Sequence, residues 1–125
     1  MEIYDRSDDH LRWSREEKMV ARKVFDSVLE REFQAVICKT KELASRIKEP
    51  SQLWELEYYL QQRRKEIDRK YDYRYSKLPM VFGILIREGK LKEQELSGLG
   101  EDKLEHIREW ATPVSLGGRS SRGKK

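Results

Sequence analysis

From Ser14 onward apolar residues recur at three- and four-residue steps, the spacing that lines one face of an α-helix. Ala21, Val24, Phe25, Val28, Leu29, Phe33, Val36, Ile37, Leu43, Ala44 and Ile47 fall in a run of about 34 residues without Gly or Pro. Ser14-Arg15-Glu16-Glu17 supplies a capping box at its start, Ser and Glu each satisfying a backbone N–H. A helix is predicted there, about 50 Å long if continuous, at ~1.5 Å per residue. Pro50 and Ser51 interrupt the period, and a second helix is predicted from about Gln52 to Tyr75. At 100° per residue, Leu53, Leu56, Leu60, Ile67 and Tyr71 share a stripe, with Arg64 at its edge. Trp54, Tyr58, Gln61 and Lys65 fall on a different face. Trp54 and Tyr58, one turn apart, admit two readings: a second buried face covered by another helix, or an exposed aromatic anchor for a partner.

The most apolar segment is Leu78-Pro79-Met80-Val81-Phe82-Gly83-Ile84-Leu85-Ile86. Pro79 is tolerated in a first helical turn, and Gly89 supplies a left-handed C-terminal cap. Two shorter helical pieces, near Lys92 to Leu96 and Glu101 to Trp110, are expected to pack on it through Leu91, Leu96, Leu99, Leu104, Ile107 and Trp110. Tyr71, Tyr73 and Tyr75 alternate as in a strand, but no second strand accompanies them and the helix is expected to continue. The fold class is all-α, with two long helices forming a dimerisation stalk and a small C-terminal helical head. The divisions are a flexible arm over 1–12, the long-helix region over 13–76, the head over 77–112 and a disordered basic tail over 113–125. So much apolar stripe on long helices exceeds what one chain can bury, which predicts a homodimer.

Composition sharpens this picture. Charged residues make up 40% of the 125 and apolar ones 37%, against roughly 25% and ~45–50% in average domains, which argues against a spherical single-core protein. The net charge is +4. Gly117 to Lys125 contributes Arg119, Arg122, Lys124 and Lys125 and no acid; removing those four from 27 bases leaves 23 against 23 acids in residues 1–116. A neutral body is a poor non-specific ligand for phosphate backbones. The segment Arg63 to Lys77 carries a local +4 among three tyrosines and is the one place where a nucleic-acid reading can start. Surface pairs formed by Glu66 with Lys70, and by Asp68 and Asp72 with their basic neighbours, account for it more simply, and nucleic acid is not an expected partner.

Catalysis requires convergent nucleophiles, bases or metal ligands. His10 falls in the predicted arm and His106 among Glu105, Arg108 and Glu109 on a short helix, both read as solvated side chains. Cys38 stands alone, so no intrachain disulfide and no Cys/His zinc cluster arises, and it reads as a buried structural thiol in a reducing compartment. Gly98-Leu99-Gly100 lacks the strand and helix context of a phosphate loop. The N-terminal sequence has neither the basic nor the apolar region of a secretion signal, and no 18-residue apolar run occurs. No enzyme, cofactor, metal or membrane insertion is expected, and a cytoplasmic location is.

The run Leu53-Trp54-Glu55-Leu56, then Leu60, Arg64, Glu66-Ile67-Asp68, Lys70-Tyr71-Asp72, Arg74 and Ser76, resembles the signature of the cyanobacterial fluorescence recovery protein family. Trp13-Ser14 upstream and Val81-Phe82, Glu88-Gly89, Glu95-Leu96, Leu99 and Asp102-Lys103 downstream also fall at family positions, so the resemblance spans about residues 13 to 111. It implies a homodimeric, cofactor-free helical regulator. Such proteins bind photoactivated orange carotenoid protein through its C-terminal domain, hasten its return to the resting form and end phycobilisome quenching. The resemblance further implies a place at the thylakoid or phycobilisome surface. By position, Trp54 and Arg64 match residues for activity and dimer structure, and Ile37 and Leu53 match dimer contacts, alongside Leu56 and Leu60 of the same stripe. Met80 and His106 stand where the family has an aromatic and a Lys used in carotenoid-protein contact, with Phe82 close by. Glu57-Tyr58 replaces the family's His-Asp, which removes a carboxylate at a functional position, and the basic tail is an addition to the pattern.

Overall fold

The computed structural model describes residues 11–112; the expected tail over 113–125, His10 and all but two residues of the expected arm lie outside them. The elements are α1 (Arg15–Ser45), α2 (Pro50–Lys70), α3 (Leu78–Arg87), a 3-10 turn (Glu93–Leu96) and α4 (Glu101–Ala111). The described residues contain no β-strand. They form two compact units, one from residues up to Phe25 together with Tyr73 onward, the other from Asp26 to Asp72. The first turns of α1 belong to the first unit, together with the head.

In the head unit, the capping box at the start of α1 forms as its sequence predicts. The Ser14 N–H donates to Glu17 Oε1 at 2.8 Å and the Glu17 N–H to Ser14 Oγ at 3.1 Å. The Glu17 carboxylate also accepts the Gly100 N–H at 2.7 Å and lies 3.0 Å from Lys103 Nζ, whose ammonium donates to the Arg12 carbonyl as well. A local helix cap is thereby turned into a tie to the start of α4. Burial alone would raise the Glu17 pKa, but the Ser14 and Gly100 N–H groups and Lys103 together hold it below the ordinary carboxylate value. A carboxyl whose folded pKa is depressed adds stability that is present above the unfolded value and lost as pH falls through the folded one. Replacing Glu17 by Gln should cost about 1–3 kcal/mol near neutral pH, because buried Lys103 then keeps only the half-exposed Asp102 carboxylate, 3.1 Å away, as counter-charge. In urea titrations the gap between wild type and E17Q should shrink as pH drops below about 4.

Phe82, Leu78, Val81, Leu85, Leu96 and Ile107 are fully buried and form the core of this unit, joined by Leu91 and Leu99. Pro79 sits in the first turn of α3, where a missing N–H is harmless. Gly89 adopts φ +78°, and bonds from the Gly89 N–H to the Ile86 carbonyl and the Lys90 N–H to the Leu85 carbonyl, both 2.9 Å, complete a left-handed C-terminal cap. Gly83 is where α3 and α4 touch backbone to backbone. A Cβ there would stand 2.4 Å from Trp110 Cβ and 2.6 Å from the Ile107 carbonyl oxygen. Since a main-chain carbonyl cannot swing aside, Gly83→Ala should cost about 1–3 kcal/mol in thermal or denaturant unfolding although only one methyl is added.

Three expectations are corrected. The second helix begins at Pro50 rather than near Gln52, with Glu49 as the capping residue; Pro50 opens the helix instead of separating two, and Gln52 Oε1 accepts the Lys48 and Glu49 N–H groups at 2.7 and 3.0 Å. Nor does the helix continue through Tyr75, since it ends at Lys70 and Tyr71 is extended. The reason lies in the tyrosine alternation. Tyr73 packs edge-on against Phe25 at 4.9 Å with the Arg22 guanidinium 4.3 Å from its ring, and Tyr75 lies 5.5 Å from Trp13 with Lys18 above it. Residues two apart on a helix diverge by about 200° and could not both pack this way. Finally, Cys38 is exposed on α1, not a buried structural thiol.

Candidate functional site

In the hairpin unit α2 runs back along α1, and very little apolar surface is buried. Of its residues only Val28, Glu32 and Ile67 are buried. The stripe residues Leu53 and Leu60 of α2 and Phe33 and Ile37 of α1 remain exposed, while Leu56 is half-buried. Phe33, Val36, Leu60, Arg63, Arg64, Ile67 and Asp68 line an open depression of about 330 Å³. The Arg64 side chain is 84% exposed and reaches Asp68 at 3.8 Å, a surface contact of small worth.

On another face of α2, Trp54 and Tyr58 are 60% and 64% exposed, so no helix of the same chain covers them. No base occurs between Glu49 and Gln62, whereas Glu49, Glu55 and Glu57 do, giving the aromatic pair an acidic surround. The basic half of α2 is engaged differently from the pairs expected. Arg63 contacts Glu32 at 3.1 Å and also Glu66, Lys70 lies 2.8 Å from Glu32, and the Tyr71 hydroxyl donates to Glu32 at 2.7 Å. Desolvation lowers the Arg63 pKa, but Glu66 and Glu32 outweigh it and leave the guanidinium above its ordinary value. These cations are turned to protein carboxylates, and Tyr73 and Tyr75 to the rings described above.

In the head, Met80 and His106 line one cleft of about 220 Å³ together with Leu11, Ser76, Lys77, Pro79 and Trp110. The two substituted family positions, 26 residues apart in sequence, thus meet. Phe82 does not join them, being fully buried. Trp110, expected to pack in the core, is instead 44% exposed at the rim. Its position in the last turn of α4 gave no sequence signal of this, because an aromatic at a helix end fits core and rim equally well. Glu32 was also missed, although a lone carboxylate four residues from both Val28 and Val36 in an apolar stripe is a readable sign of a buried polar contact.

No group of three or more His, Cys, Asp or Glu among the described residues could hold a metal ion, and no helix there is long and apolar enough to cross a membrane. The surfaces present binding chemistry, aromatic and apolar with charged rims.

Residues 13–111 match the sequence profile of the photoprotection regulator fluorescence recovery protein. The chain is 35% identical over 96 residues to the fluorescence recovery protein of Synechocystis, covering 77% of this chain and 88% of that protein. Its fold is similar to the solved structure of the Fremyella diplosiphon fluorescence recovery protein, with TM-score 0.77, 42% identity and coverage of 80% and 98% of the two chains. The Synechocystis structure gives the same TM-score and coverage at 35% identity. With matched sequence running from the α1 cap to the last turn of α4, the chain belongs to the fluorescence recovery protein family of photoprotection regulators.

Proposed function

We propose that this protein binds the photoactivated, red form of an orange carotenoid protein and accelerates its return to the orange form, ending quenching of the phycobilisome. The observation that carries this reading, beside the family, is the Trp54/Tyr58 pair held outward on α2. A large aromatic pair in water costs hydration without return unless a partner covers it, and aromatic anchors dominate protein–protein affinity. No bond chemistry is needed. A ligand shifts a relaxation only through differential affinity, so the surface must hold the path back to the compact form better than it holds the open form.

The same reading assigns Ile37, Leu53, Leu56, Leu60 and Arg64 to contact with a second copy, which would cover the apolar stripe that one hairpin leaves in water. Trp54 borders that contact, and Met80 and His106 form a second patch on the head for the carotenoid protein's C-terminal domain. Tyr58 keeps the anchor by stacking area where the family's carboxylate would have used charge, with Glu57 beside it as the remaining acid. Size-exclusion chromatography against separated red and orange forms tests the binding step. Co-migration with the red form and little with the orange form is expected; equal retention of both, or of neither, would remove the reading.

A further inference from the structure

We infer that Glu32 is a positioning residue that fixes the rotation of α2 about its own axis, and so decides which side chains α2 turns outward. Apolar packing cannot do this alone, because Val28 and Ile67 are the only buried apolar residues in the hairpin unit. A contact of two aliphatic side chains is non-directional and tolerates rotation. Hydrogen-bonded charges do not, since donors must meet a fixed carboxylate within a narrow range of distance and angle.

Glu32 is 4% exposed and takes Arg63 and Tyr71 through hydrogen bonds of 3.1 and 2.7 Å and Lys70 as an ion pair at 2.8 Å. Arg63 and Lys70 are seven residues apart, hence within about 20° of each other around the helix. Both point to α1 because one carboxylate accepts both. With Arg63 as origin, at about 100° per residue, Leu56 and Ile67 fall within about 40° and face the same way. Leu60 and Leu53 fall at about 60–80°, on the flank that stays half in water, with the 84% exposed Arg64 at about 100°. Trp54 falls at about 180° and Tyr58 at about 220°, directly away from α1. The exposures follow that order: Ile67 6%, Leu60 38%, Leu53 47%, Trp54 60% and Tyr58 64%. One buried carboxylate on the neighbouring helix thus sets the outward direction of an aromatic pair more than one turn removed from any group it touches.

The functional half of this inference rests on the reading that Trp54 and Tyr58 meet the carotenoid protein; the rotational half does not. Both halves are read from Glu32→Gln in the full chain. Hydroxyl-radical footprinting with mass spectrometry should show Ile67 oxidised severalfold more than in wild type while helix content by circular dichroism is retained. In recovery assays the protein concentration giving half-maximal acceleration should rise at least about fivefold, the low end of coupling between separate positions, with the maximal rate unchanged. Glu32→Asp, which keeps the carboxylate, should recover most of both effects. A folded E32Q protein with wild-type Ile67 protection and wild-type half-saturation would overturn the assignment. Should E32Q not fold, Tyr71→Phe removes a single donor and should move both readouts the same way by less, and no change in either would overturn the assignment equally. If wild type itself fails to accelerate recovery, the proposed function falls, while the Ile67 footprint still decides the rotation.

Discussion

Trp54→Ala should weaken the acceleration of carotenoid-protein recovery by about 30-fold in half-saturating concentration, the scale of a hot-spot truncation costing ~2 kcal/mol. Its effect on folding should stay within about 0.5 kcal/mol, because the indole is 60% exposed and contributes little to the chain's own packing. That separation is the point of the experiment. If α2 used Trp54 as a core residue, loss of activity would come with a lowered melting temperature; if it is an anchor, activity falls alone. Tyr58→Ala belongs to the same series and should act in the same direction, since Tyr58 lies one turn on and is 64% exposed. Recovery kinetics at several protein concentrations, paired with thermal melts, check both.

Phe82→Ala should give the opposite pattern. Phe82 is fully buried among Leu78, Val81, Leu85 and Ile107, so truncation removes a ring's worth of contacts and leaves a cavity worth about 3–5 kcal/mol. For a domain of this size that lowers the melting temperature by more than about 10 °C. Activity should fall only through loss of the folded head. Met80→Ala, two residues away on the opposite side of α3 at the cleft shared with His106 and Trp110, removes a half-exposed side chain and should leave the melt nearly unchanged while weakening recovery. Calorimetry on the two variants separates a residue that builds the surface from one that belongs to it.

Much of the fold was legible because its local signals agree with its tertiary contacts. Ser14 and Glu17 read as a capping box, Pro79 as a first-turn residue and Gly89 as a left-handed cap, and each sits where backbone chemistry demands it. The features that escaped are those settled by distant partners. Tyr71 to Tyr75 has the composition of a helix, but Tyr73 and Tyr75 find Phe25, Arg22 and Trp13 only if the helix stops first. Pro50 reads as a break because proline resists both helix interiors and the residue preceding it, yet it opens α2. Likewise Glu32 and Lys103 look like surface charges until their counter-charges arrive from another element.

The site was legible in part and for a definite reason. Amphipathic spacing set Trp54 and Tyr58 off the core stripe, and their exposure agrees with that placement. Spacing could not bring Met80 to His106, which depends on the α3/α4 crossing at Gly83. The neutral charge of residues 1–116 also takes on a physical meaning, since Arg63 and Lys70 of the basic stretch both meet Glu32 within the same hairpin.

The central claim is that this protein speeds a conformational relaxation by binding. Its most direct test is to photoconvert purified orange carotenoid protein, return it to darkness with increasing amounts of this protein, and follow the red-to-orange absorbance change. The recovery rate should rise with concentration and saturate, with the final orange spectrum unaltered. An unchanged rate at several-fold molar excess would contradict the account.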